Sequence, residues 1–255
     1  MKLTAASIRP FLRAFSIAPE HRVDMIDSTL KPEVVLSESS RKACIEKFKS
    51  IRVPKASNVA EAAVLVPLCL YKGELGFLYM LRSMRVTSNP GQVSFPGGMR
   101  DETDVDLRET ALRETWEELK IPKEKVDVWT AGNLIGKGNV NVMPVLAYVG
   151  EVVPEKLEIN HDEVEEAFVV SLQKLCDPEL IHFTSFRHPV MTLPCYLGGK
   201  HRVWGFTGAI THMALECLVP QVYKYKFFSV RPIITNDSSE TESNYFDYNA
   251  THSKI

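Results

Sequence analysis

Apolar and polar positions change rhythm several times along this chain, and each change marks an element. "AAVLVPLCLY" (62–71) and "LGFLYML" (75–81) are apolar runs rich in aliphatic and aromatic residues, joined by "KGE". Runs of that length around a glycine-bearing turn predict two buried strands of a hairpin. "SNPGQVSFPGGMRDETD" (88–104) follows, with proline and glycine at the hinges of an expected loop. The rhythm then becomes helical from roughly Val105 to Leu119. Further strands are expected at Val126–Ala131 and Val142–Val149, and a second helix starting near Asp162 or Asp177. "RVWGFTGAITHMALECLV" (202–219) reads as strand turning into a final helix. Interleaved strands and helices give a mixed α/β class, with helices packed on a sheet.

Three regions follow from the same pattern. Residues 1–50 form an N-terminal extension that starts basic and continues as a polar helix, with Ser37 to Ser40 offering caps before "RKACIEKFKSI". Residues 51–233 hold the folded domain. Residues 234–255 are rich in Ser, Asn, Asp and Thr and read as a flexible tail. The longest apolar run, Ala62 to Tyr71, is broken by Pro67 and is too short for a bilayer, so no membrane span is expected. Residues 1–19 carry Lys2, Arg9 and Arg13 with no acid, as a mitochondrial transit peptide would. The chain ends Ser253-Lys254-Ile255, a near match to the Ser-Lys-Leu peroxisomal signal. A peroxisomal address through an import receptor is the expectation, and a mitochondrial one the alternative.

Charge and cysteine count narrow the chemistry. The formal net charge of -2 gives no global basic field, so no nucleic-acid partner is expected and local charge must serve any phosphorylated ligand. The five cysteines are odd in number and none forms Cys-x-x-Cys, which argues for buried thiols and against a zinc site or disulfide framework.

The sharpest local feature is "RETWEE" (113–118). At helical spacing, Leu112, Thr115, Trp116 and Leu119 share one face, and Glu114, Glu117 and Glu118 the opposite one. A solvated acidic face is the plain alternative. Two penalties count against it: Glu114 and Glu118 are like charges at i, i+4, and the acids sit toward the helix C-terminus, where the dipole disfavours them. A bound cation would remove both, and an all-oxygen ligand set suits Mg²⁺ or Mn²⁺. Just upstream, Gly97 and Gly98 allow backbone to approach a ligand closely. A close-approach loop joined to a metal cradle is what pyrophosphate chemistry requires.

These residues match a known pattern. "GGMRDETDVDLRETALRETWEELKI" resembles the Nudix box, and "LRSMRVTSNPGQVSFPGG" before it resembles the signature of the coenzyme A diphosphatase subgroup through Arg82-Ser83, Gly91 and Phe95-Pro96-Gly97-Gly98. The resemblance spans roughly residues 55 to 220. It implies an α/β/α sandwich with a mixed central sheet, Mg²⁺ or Mn²⁺ dependence, and hydrolysis of coenzyme A or acyl-CoA to adenosine 3′,5′-bisphosphate and (acyl-)4′-phosphopantetheine. It also implies metal binding by Glu114, Glu117 and Glu118, orientation of the box by Arg113, substrate contacts from Arg82, Gly91, Gly97 and Gly98, and loop acids at Asp101 and Asp104. The base stays open among Glu117, Glu118 and Glu163; Glu163 reads equally as a helix-start acid. Two departures stand out: Thr87 replaces a second arginine, with Arg85 out of register, and Lys120 replaces a small residue at the helix end. Other readings are another substrate, such as NADH or ADP-ribose, or a non-catalytic binding module. His161 and His212 read as structural, Tyr196 and Trp204 as core aromatics before adenine platforms, and Lys200-His201-Arg202 as a solvated turn.

Overall fold

The computed structural model describes residues 28–53, 55–57, 59–187 and 190–225. The transit-like residues 1–19, the tail 234–255 and its Ser253-Lys254-Ile255 end lie outside them. The helices are α1 (Pro32–Val35), α2 (Glu38–Ser50), α3 (Leu107–Leu119), α4 (Leu172–Cys176) and α5 (Gly205–Leu218). The strands are β1 (Ala60–Tyr71), β2 (Glu74–Arg82), β3 (Val93–Ser94), β4 (Gly97–Met99), β5 (Asp127–Ala131), β6 (Ile135–Lys137), β7 (Val140–Glu151), β8 (Val164–Ser171), β9 (Ile181–Arg187) and β10 (Val190–Tyr196).

Eight strands form one sheet with the path β3-β2-β1-β7-β5, to which β4, β6 and β8 add at β1, β7 and β2. β1 and β7 run parallel and the other pairs antiparallel, so the sheet is mixed. The expected hairpin forms where predicted. Lys72 and Gly73 turn it with φ of 51° and 81°, the positive pair that a two-residue hairpin turn demands.

The unbroken apolar runs of β1 and β2 are explained by burial on both faces. Phe77 and Tyr79 join one core with Phe48 of α2 and Ile210 and Leu215 of α5. Leu78 and Met80 join the other with Leu107, Ala111 and Leu119 of α3. Side chains alternate across a strand, so each run feeds two layers. The result is an α/β/α sandwich with a mixed sheet. The polar helix of the N-terminal extension is capped by Ser37, as expected, and buries Cys44 and Phe48 in the first core. All five cysteines are free and buried. No helix among the described residues is long and apolar enough to cross a membrane.

Three local expectations change. The loop 88–104 contains the short strands β3 and β4. No helix starts at Asp162 or Asp177: "VEEAFVVS" is β8, antiparallel to β2, with Val164, Phe168 and Val170 buried. Sheet pairing overrides the helical propensity of Glu-Glu-Ala there. Glu163 is therefore in a turn before a strand and caps no helix. In α3, Trp116 is 48% exposed and Glu118 only 1%, so the acids do not share a solvent face opposite the apolar stripe.

Candidate functional site

Asp106 starts α3 by accepting from the backbone N–H of Arg108 and Glu109 at 2.8 and 3.0 Å, which satisfies donors the helix leaves open. Lys120 ends it in the left-handed conformation, φ 53° and ψ 29°. The unusual lysine thus still stops the helix, at the modest cost of that conformation for a residue with a Cβ.

Strand β4 lies beside this helix because Gly97 and Gly98 pair with Val64 and Ala63 of β1. A Cβ on Gly98 would stand 2.4 Å from Glu114 Oε1, and one on Gly97 would stand 2.2 Å from the Ala63 carbonyl oxygen. The two glycines do different work: Gly97 fits the strand and Gly98 makes room for a carboxylate. The Gly97 N–H also donates to Glu118 Oε2 at 2.9 Å.

Glu118 is nearly enclosed, with Arg82 Nη1 3.7 Å from its Oε1. Burial pushes its carboxyl up to about 8, with Glu114 and Glu163 adding to the rise and the Gly97 N–H and Arg82 opposing it. Burial raises Glu114 as well, against the pull of Arg113. Arg113 spends every guanidinium edge. Its Nε and Nη2 bind Asp104 at 2.9 and 3.0 Å, Nη2 also reaches the Met99 carbonyl, and Nη1 meets Glu114 and Glu117 at 3.0 and 3.1 Å. Asp104 is held far below the usual carboxylate range by that fork, helped by the Asp101 N–H and the Thr110 hydroxyl. The sequence reading missed Thr110, which is fully buried six residues after Asp104. Its only signal was a polar side chain on a buried helix face.

The other expected residues sort by distance from this cluster. The backbone of Arg82 is tied to Gly91 and Gln92, and its Nε donates to the Ser88 carbonyl. Gly91 turns that loop with φ 65°. Glu163 accepts from Asn160 Nδ2 at 3.2 Å and adds to the field that raises Glu114 and Glu118. Arg85 faces Asp162 at 3.1 Å, and Thr87 is exposed. Asp101 closes its own turn with Thr103. His161 is exposed; His212 and Tyr196 are buried around the Tyr223 hydroxyl, away from the acids. Lys200 and His201 pair with Glu166, so that turn is not simply solvated.

A cleft of about 570 Å³ opens beside the cluster, and Arg82, Gly97, Gly98, Phe186, Trp204 and Phe206 are among its lining residues. That volume suits a small organic ligand. Trp204 lines the cleft and does not sit in the core.

A divalent cation fits the donor chemistry here. Glu118 is a buried carboxylate in the field of Glu114 and Glu163, with Arg82 at 3.7 Å, and these carboxylates offer oxygen donors. Among the described residues no three acidic, His or Cys side chains are already gathered as a ligand set. Glu114 and Glu117 are turned to Arg113, so holding the ion would need that Nη1 edge to give them up.

The NUDIX domain model matches residues 60–191. The mitochondrial coenzyme A diphosphatase NUDT8 of Mus musculus is 40% identical over 194 residues, covering 74% of this chain and 92% of that protein. The protein of that name in Homo sapiens is 44% identical over 170 residues, covering 65% and 72%. A MutT/nudix family protein from Enterococcus faecalis aligns over 78% of this chain and 73% of its own, at 15% identity and a TM-score of 0.42. With the family model spanning just over half its length, the chain belongs to the Nudix hydrolase family.

Proposed function

We propose that this Nudix hydrolase cleaves the diphosphate of coenzyme A and its acyl thioesters, giving adenosine 3′,5′-bisphosphate and 4′-phosphopantetheine or its acyl form. The observation that carries the reading is the contact between Arg82 and Glu118. It joins the loop that resembles the coenzyme A signature to the acidic cluster of the Nudix box. The similarity to the mouse protein, named a coenzyme A diphosphatase, supports the same substrate.

In this reading Glu114 and Glu118 would hold Mg²⁺ or Mn²⁺, with Glu117 joining from the exposed side once it leaves Arg113 Nη1. The ion supplies charge neutralisation at the phosphoryl oxygens and a water of lowered pKa. Gly97 and Gly98 let the phosphates approach the backbone, and Arg82 meets their charge. Arg113 orients the acids without touching substrate. Glu117, Glu118 and Glu163 are the candidate bases, and replacing each by Gln tests them in turn.

The test is product analysis after incubating the purified chain with coenzyme A, NADH and ADP-ribose under Mn²⁺. Adenosine 3′,5′-bisphosphate as the main product supports the reading. Preference for NADH or ADP-ribose overturns the subgroup while leaving the family intact. No turnover with any of them, with either metal, would favour a binding module.

The cellular address is a second proposal. The names of the mouse and human relatives favour mitochondria, as does the acid-free start, while Ser253-Lys254-Ile255 favours peroxisomes. An internally tagged chain that stays mitochondrial after loss of residues 253–255 supports the first; puncta that vanish on that truncation support the second.

A further inference from the structure

The cleft has a second character in its aromatic wall. Phe186 and Trp204 lie there with ring planes 2° apart and centroids 6.3 Å apart. Both are half-buried, so their rings are held yet reach the cleft. The Arg202 guanidinium packs on Trp204 at 4.8 Å from its centroid and steadies the indole. Phe206 stands beside them with Lys137 Nζ 5.2 Å from its ring centre.

Charge gives an independent pointer. Among the described residues, the lining contains two cations, Arg82 and Lys137, and no Asp or Glu. Arg82 is committed to the acidic cluster by its contact with Glu118. Lys137 packs on the Phe206 ring, a contact that an anion can share. The cleft therefore offers aromatic faces plus a second cation, Lys137, in addition to Arg82.

We infer that Phe186, Trp204 and Phe206 seat the purine of the substrate's nucleotide half, and that Lys137 meets the phosphate carried on its ribose. This rests on the coenzyme A reading and extends it to the residues that select the nucleotide. A planar heterocycle can extend this aromatic wall by stacking on an open ring face, and base–aromatic stacking needs only a π face. A flexible pantetheine or acyl arm would gain equally from any apolar wall and has no need of aromatic faces. The extra cation matches a nucleotide with a phosphate beyond the scissile diphosphate.

Binding of the two product halves, measured by calorimetry on the full chain without metal, separates these possibilities. Trp204→Ala should weaken adenosine 3′,5′-bisphosphate and adenosine 5′-monophosphate by about tenfold to a hundredfold. It should leave 4′-phosphopantetheine unchanged, and Trp204→Phe should recover most of the loss. Lys137→Met, which keeps the aliphatic stem, should weaken the bisphosphate severalfold and spare the monophosphate. Phe186→Leu is the second wall variant should Trp204→Ala fold poorly. Unchanged nucleotide binding in the wall variants overturns the inference. So does a loss on 4′-phosphopantetheine that equals or exceeds the nucleotide loss. If the wild type fails to hydrolyse coenzyme A while nucleotide binding still follows Trp204 and Lys137, the purine seat stands and the coenzyme A reading falls.

Discussion

Replacing Glu118 with Gln should make the metal-free protein more stable while removing most of its activity. The carboxyl of Glu118 is pushed up to about 8 from an ordinary 4.5, mainly by burial. Between those pH values the folded chain holds a proton that the unfolded chain has released. Stability is therefore greatest below pH 4.5 with respect to this group, falls as pH rises through the window, and levels off above about pH 8. At 1.36 kcal/mol per unit, the burden reaches roughly 3 kcal/mol at pH 7 and about 5 kcal/mol above pH 8. These are ceilings, because water entering on local opening would relieve part of the cost. Gln carries no such burden, and its amide oxygen can still accept from the Gly97 N–H, the bond that Glu118 receives at 2.9 Å.

Denaturant melts of chelator-treated protein at pH 5, 7 and 8.5 read this directly. The wild type should lose stability across the series and Glu118→Gln should be nearly level, so the gap opens with pH. One kcal/mol corresponds to about 2–4 °C in Tm for a chain of this size, so thermal melts at pH 8.5 should separate by several degrees. Mn²⁺ should raise the wild-type Tm and have little effect on the variant. Parallel pH profiles for the two proteins, or a variant less stable than the wild type at pH 8.5, would refute the reasoning. Either result would mean that Glu118 is solvated or well paired before any ion binds.

Adjacent glycines should respond in opposite ways. Gly98→Ala first meets the mobile end of Glu114 and should cost under about 1 kcal/mol of stability yet tenfold or more in kcat, whereas Gly97→Ala drives into the backbone of β1 and should cost roughly 1–3 kcal/mol or more. Melting curves beside kcat for both variants check the contrast. Arg82→Ala should reduce kcat/KM for coenzyme A more than for ADP-ribose; equal losses would make Arg82 a support of the general site. Arg113→Lys keeps the charge but loses the fork, and its Mn²⁺ affinity, followed by titration, should fall at least tenfold.

The hairpin, the carboxylate helix and its glycine-rich approach were legible because each is local. "KGE" carries its own turn chemistry, and the helical spacing of Glu114 and Glu117 brings both within reach of Arg113 Nη1. The depth of each acid was not legible. Helical periodicity placed Trp116 inside and Glu118 outside, and the structure has the reverse. The cause is non-local: β4 pairs with β1 and brings the Gly97 N–H to the place where Glu118 points. The same holds for "VEEAFVVS", which looks helical alone and becomes a strand because β2 offers it a free edge. Thr110 was invisible for a related reason, since nothing in its neighbours announces that Asp104 folds back onto it.

The arrangement of Arg113 would let one arginine serve both the metal-free acidic cluster and the cation-bound cluster of the proposed reading. Asp104 takes Nε and Nη2, while Glu114 and Glu117 share Nη1. The first contact is a bidentate fork to an enclosed carboxylate that stays ionised throughout the physiological range. The second is a single nitrogen reaching two acids, one of them 46% exposed. An arriving cation would compete for Glu114 and Glu117 only, and the guanidinium would keep its position through Asp104. The Met99 carbonyl holds the same edge from the strand side, so helix α3 and strand β4 stay in register whichever partner the acids choose. A lysine could meet the charge at one of these places but not both. The requirement at position 113 is thus for two separable edges on a rigid plane, a demand of geometry more than of charge.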